Sequence, residues 1–456
     1  MKTRVLLVLI FAASTLAGQK PDANRSTSLG ALIERVERDL PGLHARLARA
    51  ESRELAARAM PRWYVPELRA ELGGGGASNG NEAVVGPLGR VVASWTFWDG
   101  GRRAGRGAVR GLRAHIAREE ARLYRYDLRL QLARDYYRLA EIAALKRVNA
   151  AERDRLRRLK NSLYPRIRIG SVGYSALTDV ELRRGAILDA NAALDGEARR
   201  IRERLSILMG SDPGRAARNE RKLSEATAIT RLVLPSVPDG EMDLEYLPHV
   251  RLARLRARLG RSAAKLARRN LYWPSIGLDV FGGYQPFRDA IDPARPEAGA
   301  LLTIRLPLFG SASRSAALDS VRLAGDADAL QLEQILRESR ARSGALRSVL
   351  NESLERAGRL DGLARRARAN LARAFGEFAG DLRSASDMRD GTRTLADLER
   401  ARVGQLRRAH LARFEWDLPA TLGETPRANS FQDDAGGSDR REQTKELQSI
   451  QSGEPQ

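Results

Sequence analysis

Apolar positions along this chain follow two periods, that of a helix and that of a strand, and the whole succession occurs twice. From Gly101 to Leu163 there is no proline, and apolar or small residues return every seven positions at Ile116, Leu123, Leu130, Tyr137, Ala144 and Ala151. That spacing predicts a long helix with a coiled-coil seam. Leu128, Leu132, Leu139 and Ile142 lie off the seam, so the helix is expected to touch neighbours on more than one side. At 1.5 Å per residue, about 60 residues make a rod on the order of 90 Å, too long for an ordinary globular core. A second rod is expected from Ser313 to Phe375, with Leu332, Leu336, Leu346, Leu350, Leu354, Leu360 and Leu363 on helical spacing.

Each rod breaks near a glycine followed shortly by aspartate, after which a partner helix returns: Asp179 to Met209 in the first half, Asp387 to Leu418 in the second. Asp179 and Asp387 are placed as N-caps, accepting backbone N–H bonds at the positive end of the helix dipole. Each half is thus a helical hairpin. Shorter helices, Leu29 to Met60 and Leu244 to Asn270, come earlier in each half. Aromatic-proline segments follow them, Pro61-Arg62-Trp63-Tyr64-Val65-Pro66 and Leu271-Tyr272-Trp273-Pro274.

Between these segments the period shortens. In each half two runs of about 10 residues, the length of a membrane-spanning strand, are joined by a Gly-rich or Pro-rich loop, Gly73 to Gly80 and Pro286 to Pro296. Val91, Ala93, Trp95 and Phe97 fall on one face and Ser94 and Thr96 on the other; Leu68, Ala70 and Leu72 alternate with Glu67, Arg69 and Glu71. This is the lipid-out, lumen-in alternation of a transmembrane β-barrel strand, with Trp63, Tyr64, Trp95, Trp98, Tyr272 and Trp273 near the interfaces. Four strands cannot close a membrane barrel, and open edges leave backbone groups unsatisfied in lipid. The protomer is therefore expected to oligomerise through its edges.

The organisation that follows is a duplication: repeat 1 over 19–212, an irregular polar connection over 213–243, and repeat 2 over 244–423. The last stretch, 424–456, has too little apolar surface to fold and is expected to be a disordered tail. At the other end Lys2 and Arg4 precede an apolar run from Val5 to Ala13, with small residues at Thr15, Ala17 and Gly18. Residues 1–18 read as a secretory signal peptide. A buried helix or a membrane anchor is the other reading of that run, but it is too short to span a core of about 30 Å.

Composition narrows the chemistry. Cysteine is absent, which removes disulfides and thiolate metal sites. Leu16-Ala17-Gly18-Gln19 resembles a lipoprotein processing box with Gln19 where the modified cysteine would stand. The net charge is +22, which ordinarily raises nucleic-acid binding. Here the arginines read as spread along the helices rather than gathered in one stripe, and no nucleic-acid module accompanies them. Arginine as a helix former on exposed faces, an electropositive conduit and a membrane-adjacent surface stay open as its roles. His44, His115, His249 and His410 lack metal-ligand spacing. Gly73 to Gly76 is followed by no P-loop Lys-Ser/Thr, and no nucleophile elbow occurs. The chain is not expected to be an enzyme, and no catalytic residue, cofactor or metal is expected.

The segment SWTFWDGGRRAGR, Ser94 to Arg106, resembles the strand-to-helix junction of the outer-membrane efflux proteins of the TolC family, with Asp99, Gly100 and Gly101 at the turn. LPLFGSASRSA, Leu306 to Ala316, is similar to the second such junction at Gly310, without the acidic residue and the double glycine. Gly173-Tyr174-Ser175 through Asp179-Val180, and Gly380 through Asp387-Met388, resemble the family's hairpin tips. Pro165 and the basic run Ile167 to Gly173 make the first tip longer than usual, and the second has one more residue between its Gly and its Asp.

The resemblance implies a mixed α/β membrane protein of two tandem structural repeats. Each protomer of a homotrimer would give four strands to one twelve-stranded outer-membrane barrel, continued by a coiled-coil helical barrel in the periplasm. It further implies the exit duct of a tripartite efflux pump or type I secretion system. The partners would be a periplasmic adaptor protein, an inner-membrane RND or ABC pump and outer-membrane lipid. Tyr174, Asp179, Asp387 and Arg389 become candidates for a periplasmic gate; that the two aspartates only cap their helices stays open beside it. Two other classes remain: an exported coiled-coil scaffold or adaptor without a barrel, and a basic nucleic-acid-binding coiled coil of the cytoplasm. The cargo, whether drug, metal or protein, is not written in the sequence.

Overall fold

The computed structural model describes residues 29–59, 65–78, 83–209, 234–238, 240–284, 296–306, 311–380 and 382–422. Helices α1 (Leu29–Asp39) and α2 (Pro41–Arg58) precede strands β1 (Glu67–Ser78) and β2 (Ala83–Trp98), followed by helices α3 (Arg102–Arg168) and α4 (Tyr174–Leu208). A 3-10 turn at Leu244–Tyr246 and helix α5 (Pro248–Tyr272) open the second half; β3 (Ser275–Tyr284), β4 (Pro296–Arg305), α6 (Ser311–Ala379) and α7 (Ala385–Thr421) complete it. The order helix, two strands, long helix, returning helix occurs twice, as the duplication predicts. The single helix expected over Leu29 to Met60 is divided at Leu40, where Pro41 lacks the N–H that would continue the ladder and opens α2 instead. No helix among the described residues is long and apolar enough to cross a membrane.

The four strands form one antiparallel sheet in the order β1-β2-β3-β4. Glu67 pairs with Ser94, Ala93 with Val280, and Val280 with Ala300, so the register fixes two faces. One carries Leu68, Ala70, Leu72, Val91, Ala93, Trp95, Leu278, Val280, Ala300 and Leu302. Most of the large side chains in this set are solvent-exposed in the protomer, Leu72 to 88%. The other carries Glu67, Arg69, Glu71, Arg90, Ser94, Thr96, Asp279 and Thr303, with Val92, Phe281 and Leu301 among them. Arg90 donates to Glu71 at 2.6 Å and Thr303 to Asp279 at 3.4 Å on that face. A register shift between Thr96 and Trp98 brings Trp98 opposite Ile276, on the apolar side. The run Gly73 to Gly76, expected at a hairpin tip, instead lies inside β1, where Gly73 pairs with Leu88 and Gly76 with Val85. The Pro-rich loop and the aromatics Trp63 and Tyr64 lie outside the described residues.

Two compact units emerge, each assembled from both halves of the sequence. The first takes in α1, the end of α3 from Gln131, α4, the end of α6 from Val349 and α7 as far as Leu411. Its core joins Leu156, Leu159 and Leu163 of α3 to Val180 and Ile187 of α4, Ala364, Leu371 and Phe378 of α6, and Met388 and Leu395 of α7. In α6 the buried row is a strict heptad, Leu350, Ala357, Ala364, Leu371 and Phe378. In α3 the expected seam residues Tyr137, Ala144 and Ala151 are only half-buried. The off-seam Leu132, Leu139 and Ile142 lie deeper, since this helix packs on more than one side.

The second unit holds the sheet, most of α2, the start of α3, α5, the start of α6 and the end of α7. Here α5 and α6 approach closely at Gly260 and Gly325: a Cβ on Gly260 would stand 2.7 Å from the Gly325 backbone.

Candidate functional site: junction, hairpin tips and buried charges

Where β2 becomes α3 the backbone turns through Gly100 and Gly101, at φ 63° and 75°. Only glycine adopts such angles without strain. A Cβ on Gly100 would also stand 2.6 Å from Cβ of Trp273. The Asp99 carboxylate accepts from the backbone N–H of Gly101 at 3.0 Å and of Arg103 at 2.6 Å, capping the first turn of α3. The Arg102 guanidinium donates to the carbonyls of Arg269 and Trp273, and Arg269 donates to the Gly101 carbonyl at 3.1 Å. The Trp98 and Trp273 rings lie 5.9 Å apart. The turn named by its sequence is therefore locked against the end of α5. Gly310, the second expected junction residue, lies outside the described residues.

At the first hairpin tip α3 runs through Pro165 to Arg168, and Gly170 follows at φ 73°. Ser171 donates its N–H to Arg166 O and Gly170 to Ile167 O, which satisfies two terminal carbonyls. The second tip has the same six-residue closure, Leu382 N–H to Glu377 O.

Neither aspartate expected as an N-cap is one. The N-cap of α4 is Gly173, and Asp179 lies inside the second turn. Ser384 precedes α7, its hydroxyl accepting from Asp387 N–H at 3.2 Å while the Asp387 carboxylate accepts from Ser384 N–H at 3.3 Å. Asp387 is thus the third-position partner of a capping box. Asp179 instead pairs with Arg389 of the other hairpin. Arg389 also donates to Asp390 at 3.1 Å; that bond first, with Asp179 adding to it, holds the guanidinium above its ordinary pKa. Tyr174 is 70% exposed and stands apart from the pair. Of the four gate candidates the fold brings two together.

Sequence reasoning missed Arg166. It lies over the Phe378 ring, 4.1 Å from the centroid, and donates to the Phe378 and Ala379 carbonyls that end α6. A cation at a helix C-terminus meets the negative end of the dipole. Nothing in a chain this rich in arginine singles it out. Beside the second tip a groove of about 380 Å³ runs between α6 and α7, lined by Ala367, Asn370, Ala374, Glu377, Arg383, Asp387 and Gly391.

A second missed feature is a set of buried carboxylates. Glu152 of α3 is fully buried at 0% exposure and is held by Arg183 of α4, at 2.8 Å, and Arg400 of α7. Arg400 also donates to Asn149 Oδ1 at 2.9 Å, and Asn149 donates to Asn191 at 2.8 Å. Glu141, about three turns earlier on α3, pairs with Arg407 at 3.0 Å and with Arg138. Among the described residues no cluster of three His, Cys, Asp or Glu could hold a metal ion.

In the second unit a cavity of about 350 Å³ is lined by Tyr126, Asp127, His249, Glu338, Ser339 and Arg342 among others. His249 Nε2 is 2.9 Å from Ser339 Oγ, which itself donates to Ile335 O at 2.6 Å. Burial first, then the nearby Arg342 charge, holds the His249 pKa below its ordinary value. The arginines are not evenly spread, contrary to the sequence reading. Helix α5 carries eight basic residues and no acidic one. Arg258, Arg261, Lys265 and Arg268 form an exposed row at i, i+3, i+7 and i+10.

A sheet with one apolar face, running into paired long helices, defines a class of β-sheet and helical-hairpin folds. The structure is similar to that of the outer-membrane channel OprN, with a TM-score of 0.74 and 18% identity over 87% of this chain and 90% of that one. It is equally similar in kind to the outer membrane protein VceC of Vibrio cholerae, with a TM-score of 0.73 and 18% identity over 87% and 96%. The open state of the MtrE outer membrane channel of Neisseria gonorrhoeae gives a TM-score of 0.70 and 16% identity over 87% and 90%. No protein-family profile and no curated protein matches the chain. The chain has the fold of these outer-membrane channels, as its resemblance to the TolC family implied.

Proposed function

We propose that the chain is one protomer of a trimeric outer-membrane exit duct, a passive conduit reaching from the periplasm to the exterior. The observation that carries this is the sheet: one face apolar throughout, the other lined by carboxylates, guanidiniums and hydroxyls, with β1 and β4 left as outer edges. A face of exposed Leu, Val and Trp is unfavourable in water and favourable in lipid. Edge pairing between copies would satisfy the outer backbone groups that lipid cannot. The helical hairpins would extend the conduit, with their tips at its periplasmic end. The Asp179–Arg389 pair would hold that end closed. The groove between α6 and α7 would receive a periplasmic adaptor protein that works with an inner-membrane RND or ABC pump. The test is purification in mild detergent with heat-modifiable electrophoresis, followed by planar-bilayer recording. A homotrimer that conducts ions is expected; a monodisperse monomer with full β content would overturn the reading.

A further inference from the structure

We propose that the basic row of α5, Arg258, Arg261, Lys265 and Arg268, is a binding surface for the anionic headgroups of phospholipids in the leaflet that faces the helices; this rests on the exit-duct reading. The eight basic side chains of α5 divide in two. Arg251, Arg254, Arg256 and Arg269 are engaged, by Tyr246, by Glu245, by Glu120 and by the Gly101 carbonyl respectively. The four of the row are exposed and make no ion pair among the described residues. No carboxylate of α5 itself lies near enough to neutralise them, because the helix has none.

The row has a direction. Continued by one more step of four residues it meets Tyr272, the last residue of α5, which is 60% exposed, and Trp273 beside it is exposed as well. Two residues later β3 begins, with Ile276, Leu278 and Val280 on the apolar face of the sheet. Exposed Tyr and Trp at the edge of an apolar surface mark the boundary between water and lipid. Along the helix Arg268, Lys265 and Arg261 stand roughly 6, 10 and 16 Å before Tyr272. Their long stems let the charged heads reach toward the phosphate layer. Cations in that layer attract anionic lipid, each adding to the preference.

The experiment uses the full-length trimer in mild detergent, mixed with phosphatidylglycerol or phosphatidylcholine and weighed by native mass spectrometry. Wild type is expected to retain phosphatidylglycerol with a preference of roughly tenfold. Arg261→Gln, Lys265→Gln and Arg268→Gln together should abolish the preference while the same spectra show an intact trimer. Arg261→Lys with Arg268→Lys should keep it, since charge rather than guanidinium geometry is at work. Equal retention of both lipids by wild type would overturn the inference. So would an unchanged preference in the triple Gln variant with a shifted reversal potential, which would put the row on the water path. A wild-type protein that forms no channel in bilayers would overturn the exit-duct reading, and the lipid surface with it.

Discussion

Asp179 and Arg389 meet across the two helical hairpins, 210 residues apart in the chain, each near the start of its returning helix. The pair is partly exposed, so it contributes at most about 1 kcal/mol to stability. On the exit-duct proposal its role is positional. Replacing both, Asp179→Asn with Arg389→Gln, should raise single-channel conductance in planar bilayers and leave the trimer's melting temperature unchanged. Lower stability with unaltered conductance would assign the pair to packing alone.

Asp387 should behave in the opposite way. Its carboxylate closes the capping box with Ser384, so Asp387→Ala is expected to destabilise the start of α7 by about 1 kcal/mol without opening a conduit. Helical circular dichroism during heating, with conductance recorded on the same preparation, separates the two aspartates.

At the junction, Gly100→Val combines a positive φ with a side chain driven into Trp273. Trimer yield on heat-modifiable electrophoresis should collapse while export of the chain continues. Gly344 in α6 is the control: nothing lies within 4 Å of an added Cβ. Gly344→Ala should stabilise by up to about 1 kcal/mol.

Removing the carboxylate at Glu152 leaves the Arg183 and Arg400 guanidiniums facing each other, both only a quarter exposed. Glu152→Ala is expected to cost about 3 kcal/mol, read as an early loss of helical signal in the first compact unit. Replacing all three by Leu, Met and Met should restore much of that loss; a single variant with wild-type melting would show the charges to be idle.

His249 sets a pH dependence. Its folded pKa lies below the unfolded value of about 6.5, so at mildly acid pH the unfolded chain binds the extra proton first. Stability contributed by the neutral imidazole is therefore present above about 6.5 and declines as pH falls from there toward the depressed folded value. His249→Gln should flatten the melting temperature between pH 7.5 and 5.5, roughly the range over which a histidine changes charge.

The alternation of Val91, Ala93 and Trp95 against Ser94 and Thr96 was legible because the sheet has one apolar face and one polar face, and Asp99-Gly100-Gly101 because a sharp turn demands glycine. The Asp179–Arg389 pair was half legible. Asp179 and Arg389 stood out by their place near the glycine breaks, but Asp387, in a similar setting, proved to be bound to Ser384, three positions after the cap. The buried heptad of α6 stayed hidden because Ala357 and Ala364 carry no strong hydrophobic signal. Glu152 was invisible for a related reason: a carboxylate is buried only when distant helices deliver its cations, and no local pattern reports that. The glycine run of β1 misled because strand pairing overrode its turn propensity.

The two outer edges of the sheet, β1 and β4, are not alike. Like edges can pair only two copies about a two-fold axis, so a longer closed series of copies must join head to tail, β1 of one to β4 of the next. Head-to-tail addition has no intrinsic stopping point: it ends only when curvature returns the last edge to the first, and otherwise it grows into a fibre. On the exit-duct proposal, a protomer in transit would be a monomer for polymerisation as much as a third of a ring, and its safe passage would depend on how rarely it meets another copy before reaching a bilayer.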